Sequence, residues 1–101
     1  MITKAEIEEI IIANSKYLSQ LGVKKIGLFG SYQRQEENES SDIDILVKFD
    51  PTMKNYDNYI ALAEFLENKL GKKVDLITEE SLSPHIGPRI KKEVRYFALS
   101  A

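Results

Sequence analysis

The sequence predicts an α/β (α+β) fold in which a small β-sheet is covered by helices. Three observations support this prediction. Helical periodicity alternates along the chain with short strand-like segments, no repeat or Pro/Gly/Ser-rich linker divides the chain, and 101 residues suit about one domain. A chain of this size can bury one hydrophobic core, and 43% hydrophobic residues supply the side chains for it. We therefore expect residues 1–101 to form a single domain.

The first helix is predicted over residues 4–21. Thr3 and Glu6 have the spacing of a capping box, in which the two side chains satisfy free backbone N–H groups at the start of a helix. Apolar residues then recur on one helical face, and Gly22 provides the stop. Further helices are predicted over residues 32–37, 57–70 and 84–93.

The strands are predicted between these helices. The clearest one covers residues 42–49, where Ile43, Ile45 and Val47 alternate with Asp42 and Asp44. Shorter apolar runs predict two more strands, and a final edge strand completes the sheet. These three segments are residues 25–29, 73–78 and 94–98.

Composition excludes several classes of site. Cysteine is absent, so disulfides and zinc–thiolate sites are excluded, and one histidine, His85, cannot form a multi-histidine metal cluster. A net charge of -2 gives no basic field for nucleic-acid backbones, so direct nucleic-acid binding is not expected. No apolar run approaches the ~20 residues of a membrane helix. The acidic, periodic N-terminus is unlike a signal peptide, so we expect a cytoplasmic protein without a membrane partner.

Three aspartates are the candidates for chemistry. Asp42 and Asp44 stand two apart on a predicted strand, so they project to the same face with Cα atoms about 7 Å apart. Carboxylates at that spacing can converge on a hard cation such as Mg²⁺. Asp75 lies within another apolar strand, where a carboxylate must reach solvent, find a partner or bind metal. Taken alone, each of these acids also fits an ordinary exposed strand position.

A second candidate feature is the turn after the first strand. Gly30 permits a tight turn there, and Ser31 offers a hydroxyl and a backbone N–H where a phosphate could bind. An ordinary strand-to-helix turn with a serine cap would look the same. Arg34 could pair either with phosphate or with a surface acid.

The combination of these features is more specific than any one of them. The run Gly30-Ser31-Tyr32-Gln33-Arg34 is followed by a polar loop and then by Ser41-Asp42-Ile43-Asp44-Ile45-Leu46-Val47, with a third acid on the next predicted strand. This arrangement over residues 22–80 resembles the minimal nucleotidyltransferases of the DNA polymerase beta superfamily. The compact size is similar to that of the antitoxin partners of HEPN-domain ribonuclease toxins. Gln33 and Gln35 depart from the usual Ala and Gly of the motif, which puts nucleotide affinity or loop flexibility in doubt.

The resemblance implies a polymerase-beta-like fold with a mixed sheet, and a role for each site residue. Gly30 and Ser31 would hold the nucleotide phosphates, and Arg34 matches the motif arginine. Asp42 and Asp44 would bind Mg²⁺, and Asp75 would complete the catalytic and metal-binding triad.

The implied reaction is transfer of AMP from ATP to a tyrosine of a cognate HEPN toxin, because a chain this small has no evident room for an acceptor-binding domain. Two alternatives remain open at this stage. The protein could neutralise a toxin by stoichiometric binding without catalysis. It could also modify a small molecule or an RNA end together with a separate acceptor-binding subunit.

Overall fold

Four strands form one mixed sheet in the computed structural model, which describes residues 1–99. The central strands β1 (Val23–Phe29) and β2 (Ile43–Phe49) are antiparallel. Outside them lie β3 (Val74–Thr78), which is parallel to β2, and β4 (Arg95–Tyr96), which is antiparallel to β1. The sheet order is therefore β3-β2-β1-β4, and the predicted small mixed sheet is confirmed.

Helices connect the strands and pack on the sheet. The parallel pair β2–β3 needs a long crossover, which the longest helix supplies. The helices are α1 (Lys4–Ala13), α2 (Ser15–Gln20), α3 (Gly30–Arg34), α4 (Tyr56–Leu70) and α5 (Gly87–Glu93), with a 3₁₀ turn at Glu79–Ser81.

The single helix predicted over residues 4–21 is wrong, because the structure breaks it at Asn14. The Asn14 side chain donates to the Ile10 carbonyl at 2.7 Å, and the Ser15 hydroxyl donates to the Ile12 carbonyl at 2.6 Å. Such side-chain bonds compete with the helical backbone pattern. The result is two short helices, α1 and α2, in place of one.

The other boundaries shift by smaller amounts. The helix predicted over 32–37 starts at Gly30 and ends before Gln35, which adopts left-handed backbone angles. The helix predicted over 84–93 starts at Gly87, because Pro84 lies in a turn and Pro88 occupies the first helical turn, where proline is well tolerated. The predicted edge strand over 94–98 shortens to β4.

Alternation along β2 assigns the two faces of the sheet. Ile43, Ile45 and Val47 are fully buried in the principal core, together with side chains from α1, α2 and α4. Leu46 points the other way into a smaller cluster with Phe29 and Val94, against which Ile90 of α5 packs. Asp44 shares the Leu46 side of the strand, so it lies on the face that carries α5. Within residues 1–99, no helix is long and apolar enough to span a membrane.

The capping box at the start of α1 provides a test of local stability. The Thr3 hydroxyl accepts from the Glu6 N–H at 3.2 Å, and the Glu6 carboxylate accepts from the Thr3 N–H at 3.0 Å. We predict that Thr3→Ala lowers the free energy of unfolding by about 1 kcal/mol, since it leaves an N–H of the first turn without its cap. Urea denaturation measures this. Ser19→Ala, at an exposed position of α2, is the control and should be neutral or slightly stabilising; equal losses in both variants would contradict the role of the cap.

Candidate active site

Two of the predicted carboxylates are direct neighbours across the sheet. Asp44 of β2 pairs in register with Asp75 of β3, and adjacent strands lie about 4.8 Å apart. Asp42 lies just before β2, two residues from Asp44 and on the same side. The structure therefore gathers all three predicted aspartates at the amino-terminal ends of two parallel strands.

The environment of Asp44 disfavours its ionised form. Partial burial, the negative charges of Asp75 and Asp42, and a hydrogen bond with Asp75 together raise the pKa of this carboxyl to about 6. Arg34 opposes the shift. A cation bound beside these carboxylates would offset their mutual repulsion and stabilise the ionised form of Asp44. The site chemistry therefore fits a hard divalent metal. Among residues 1–99, however, no group of three His, Asp or Glu side chains is arranged to hold a metal ion.

Asp42 is partly exposed to solvent. Its side chain is 39% exposed, and Lys73 approaches one of its oxygens at 3.8 Å. Lys73 is 69% exposed, so this contact is a loose surface ion pair that contributes little stability. Asp42 can therefore turn toward a ligand at small cost.

The Gly30 turn lies directly against Asp44. The register that pairs Phe29 with Asp44 brings the end of β1 beside the acids. Gly30 has a φ of 75°, and a Cβ at this position would lie 2.0 Å from Asp44 Oδ2. Only glycine combines that backbone conformation with such a close approach. Ser31, half-buried, follows it at the start of α3.

Arg34 lies between two carboxylates. Its Nε donates to Glu36 Oε1 at 2.9 Å and its Nη1 to Glu93 Oε1 at 2.5 Å. The other oxygen of Glu93 accepts from the Gly30 N–H at 2.8 Å. Arg34 therefore pairs with acids, one of its two predicted roles, and these contacts use two of the five N–H donors of the guanidinium.

Glu93 is a site residue that the sequence interpretation missed. It lies 59 residues from Arg34 and 63 from Gly30, so no local pattern connects them. The sequence does contain one signal for Glu93. The helix dipole favours cations such as Lys91 and Lys92 in the last turn of a helix, and it disfavours the acidic Glu93 at the same end.

Comparison with known proteins assigns the family. A model of the nucleotidyltransferase domain matches residues 7–97. The chain belongs to this nucleotidyltransferase family.

Individual relatives agree with this assignment. The chain is 44% identical over 97 residues to the protein adenylyltransferase MntA of Thermococcus cleftensis, covering 95% of this chain and 97% of that protein. Two solved structures have TM-scores of 0.72 at 28% identity. One is described as a minimal nucleotidyltransferase, with 87% of this chain and 93% of that chain covered. The other is a toxin–antitoxin with AMP-PNP, with 92% of this chain and 73% of that chain covered.

The prediction of a nucleotidyltransferase with a polymerase-beta-like fold is therefore confirmed. In this nucleotidyltransferase, the glycine turn and the three aspartates occupy one patch on the α5 face of the sheet. The contacts of Glu93 connect that patch to α5.

The raised pKa of Asp44 predicts a stability effect of a known sign. An aspartate in the unfolded chain has a pKa of about 4, so the native state binds the proton on Asp44 more tightly than the unfolded state does. The free energy of unfolding therefore falls as the pH rises from about 4 to about 6. Asp44→Asn removes this cost. In the presence of a chelator we expect it to raise the melting temperature at pH 8, with a smaller increase at pH 5, as measured by circular dichroism.

Asp50→Asn is the matched control for this experiment. The backbone N–H and hydroxyl of Thr52 donate to Asp50 Oδ1 at 2.9 and 2.8 Å, and they lower its pKa. Its ionised form therefore stabilises the fold above the unfolded pKa, and Asp50→Asn should lower the melting temperature at pH 8. Shifts of the same sign in the two variants would contradict the electrostatic interpretation of Asp44.

The Gly30 turn predicts a second contrast. Gly71, with a φ of 70°, has open space where a Cβ would lie, whereas a Cβ on Gly30 meets Asp44. Gly71→Ala should cost about 1 kcal/mol through left-handed strain alone. We expect Gly30→Ala to cost clearly more, because Asp44 must also move. Denaturant titration of both variants measures the difference, and equal costs would show that the turn and Asp44 adapt freely.

Proposed function

We propose that this protein is a Mg²⁺-dependent protein adenylyltransferase that transfers AMP from ATP to a tyrosine of a HEPN ribonuclease toxin, and so acts as an antitoxin. The observation that carries the proposal is the alignment of Asp44 beside Asp75, with the Gly30 turn packed against Asp44. The chain's similarity to a protein named as a protein adenylyltransferase over nearly its full length supports the same reaction.

The donor set fits Mg²⁺. Mg²⁺ commonly takes one or two carboxylates together with substrate phosphates and waters, so a complete cage of protein ligands is not needed. Asp42 and Asp44 would be the principal ligands, with Asp75 as the third. When bound, the ion would neutralise charge on the nucleotide phosphates.

The residues of the turn would hold the nucleotide. The Ser31 hydroxyl can donate to a phosphate oxygen, and Arg34 retains donors beyond those that contact Glu36 and Glu93. Ser31 follows Gly30, which lies against Asp44, and the Glu93 carboxylate binds both Arg34 and the Gly30 N–H. The phosphates would therefore be close to the carboxylates. These assignments of Gly30, Ser31 and Arg34 to ATP are part of the proposal.

The proposed transfer balances as a displacement at phosphorus. The acceptor hydroxyl oxygen forms a bond to the α-phosphorus of ATP, and the bond from that phosphorus to the oxygen bridging to the β-phosphorus breaks. Pyrophosphate leaves. The hydroxyl proton passes to a carboxylate of the site, and we assign this role to Asp75.

The partner is proposed from chemistry and from the relatives. A related solved structure is a toxin–antitoxin bound to AMP-PNP, which supports a toxin as the acceptor. The net charge of -2 argues against a nucleic-acid acceptor. The reaction consumes ATP, so we place it in the cytoplasm.

Substoichiometric transfer is the test that separates catalysis from simple binding. We expect one molecule of this protein to adenylylate many molecules of the cognate toxin in the presence of ATP and Mg²⁺, as a mass increment of AMP on the intact toxin. Asp42→Asn and Asp75→Asn should each reduce the rate by at least about 100-fold, within the range of lost acid–base or metal catalysis. Asp57→Asn, an exposed acid at the start of α4, is the matched control.

The opposite result is equally clear. If the toxin mass stays unchanged, while inhibition follows one-to-one binding and survives Asp42→Asn, the protein is a binding antitoxin and the proposed reaction is wrong.

A further inference from the structure

Glu93 occupies a position that the family motif residues do not explain. It is the last residue of α5, and its side chain is only 23% exposed although it is a carboxylate. Both of its oxygens bind across the fold, one to the Gly30 N–H and one to Arg34 Nη1. A carboxylate that accepts a backbone and a guanidinium donor at once fixes the separation of those two groups.

The hydrophobic packing behind Glu93 holds it in place. Val94 follows it directly and is buried with Phe29 and Leu46 in the smaller cluster. A Cβ on Gly27 would lie 2.7 Å from Val94 Cγ2, so Val94 sits tightly against β1. The backbone that carries Glu93 is thus anchored to the same strand that leads into the Gly30 turn.

The charges around Glu93 also favour this contact. Burial disfavours the ionised form of Glu93, but the hydrogen bonds from Arg34 and Gly30 outweigh it and lower the pKa. Glu36, the other partner of Arg34, is 67% exposed, and its backbone N–H donates to the Ser31 carbonyl at 2.9 Å. The two acids therefore differ, because the Glu93 carboxylate binds both the arginine and the Gly30 N–H beside Asp44, whereas the Glu36 carboxylate binds the arginine.

We propose that Glu93 is a positioning residue of the nucleotide site, which holds the Gly30 turn and the Arg34 guanidinium in the arrangement that receives the phosphates of ATP. This inference rests on the proposed function for the identity of the nucleotide. It assigns the Gly30 N–H to Glu93, and leaves Ser31 and the remaining donors of Arg34 to the ligand.

An opposite role for the same contact makes the proposal falsifiable. A carboxylate bound to a backbone N–H and an arginine could instead compete with phosphate for those donors. A positioning residue raises nucleotide affinity, so its removal weakens binding. A competing carboxylate lowers affinity, so its removal tightens binding.

The experiment compares Glu93→Ala and Glu93→Gln with the wild type. Calorimetry with α,β-methylene-ATP and Mg²⁺ measures affinity, because that analogue cannot lose pyrophosphate. We expect Glu93→Ala to weaken binding about tenfold, as the loss of a charged hydrogen bond predicts. Glu93→Gln, whose amide oxygen can still accept from Gly30, should lie between Glu93→Ala and the wild type. In the transfer assay, KM for ATP should rise more than kcat falls.

A measurement without nucleotide checks the contact itself. The Gly30 amide proton should exchange faster with solvent in Glu93→Ala than in the wild type, and Glu93→Gln should partly restore its protection. Glu80→Ala, which removes the surface ion pair with Lys54, is the control and should change neither the exchange nor the affinity. Melting temperatures establish that each variant is folded, and Glu93→Gln decides the question if Glu93→Ala does not fold.

The outcomes separate this inference from the proposed function. If the wild type binds the analogue, and Glu93→Ala and Glu93→Gln bind it equally well or more tightly, the positioning role alone is overturned. If both variants bind the analogue more weakly and the wild type transfers no AMP, the positioning role is supported and the proposed reaction is overturned.

Discussion

The parallel register between β2 and β3 is the constraint on which the site depends, because it sets Asp44 beside Asp75. Two neighbouring carboxylates in a half-buried position repel each other, and this repulsion has to be offset by the rest of the fold. The opposite face of the same strands supplies the compensation, since Ile43, Ile45 and Leu76 are buried in the principal core. A slip of one residue would exchange the two faces and bury the acids. The hydrophobic pattern that folds the sheet therefore also positions the chemistry.

Much of this arrangement could be predicted from the sequence because its causes are local. Alternation along one strand is sufficient to put Asp42 and Asp44 on the same side, opposite the face that Ile43, Ile45 and Val47 bury in the principal core. The helix from 57 to 70 could be located by its periodicity and by Gly71, and the structure places it at Tyr56–Leu70. The pairing of Asp75 with Asp44 could not be derived in this way, since strand order is a property of the whole fold. The resemblance to a family implied only that Asp75 completes the triad, and the structure shows the pairing itself.

The failures of the sequence interpretation also have physical causes. A break at Asn14 depends on which carbonyls its side chain and Ser15 bind, and an asparagine within a helical pattern does not reveal that choice. Glu93 is a harder case, because its partners are about sixty residues away in the chain. Its location follows from the burial of Val94, the next residue, with Phe29 and Leu46, which only the tertiary structure shows.

The Gly30 turn is restrained from two sides, and this explains how so small a fold can hold a defined site. Asp44 approaches from β2 so closely that no side chain fits, and Glu93 binds the backbone N–H from α5. One contact restricts the turn by steric exclusion and the other by a charged hydrogen bond, so the turn has little freedom to lose when a ligand binds. Binding groups that are ordered in advance lose less entropy on association. The folding energy of the two hydrophobic clusters thus sets the geometry of the polar residues between them.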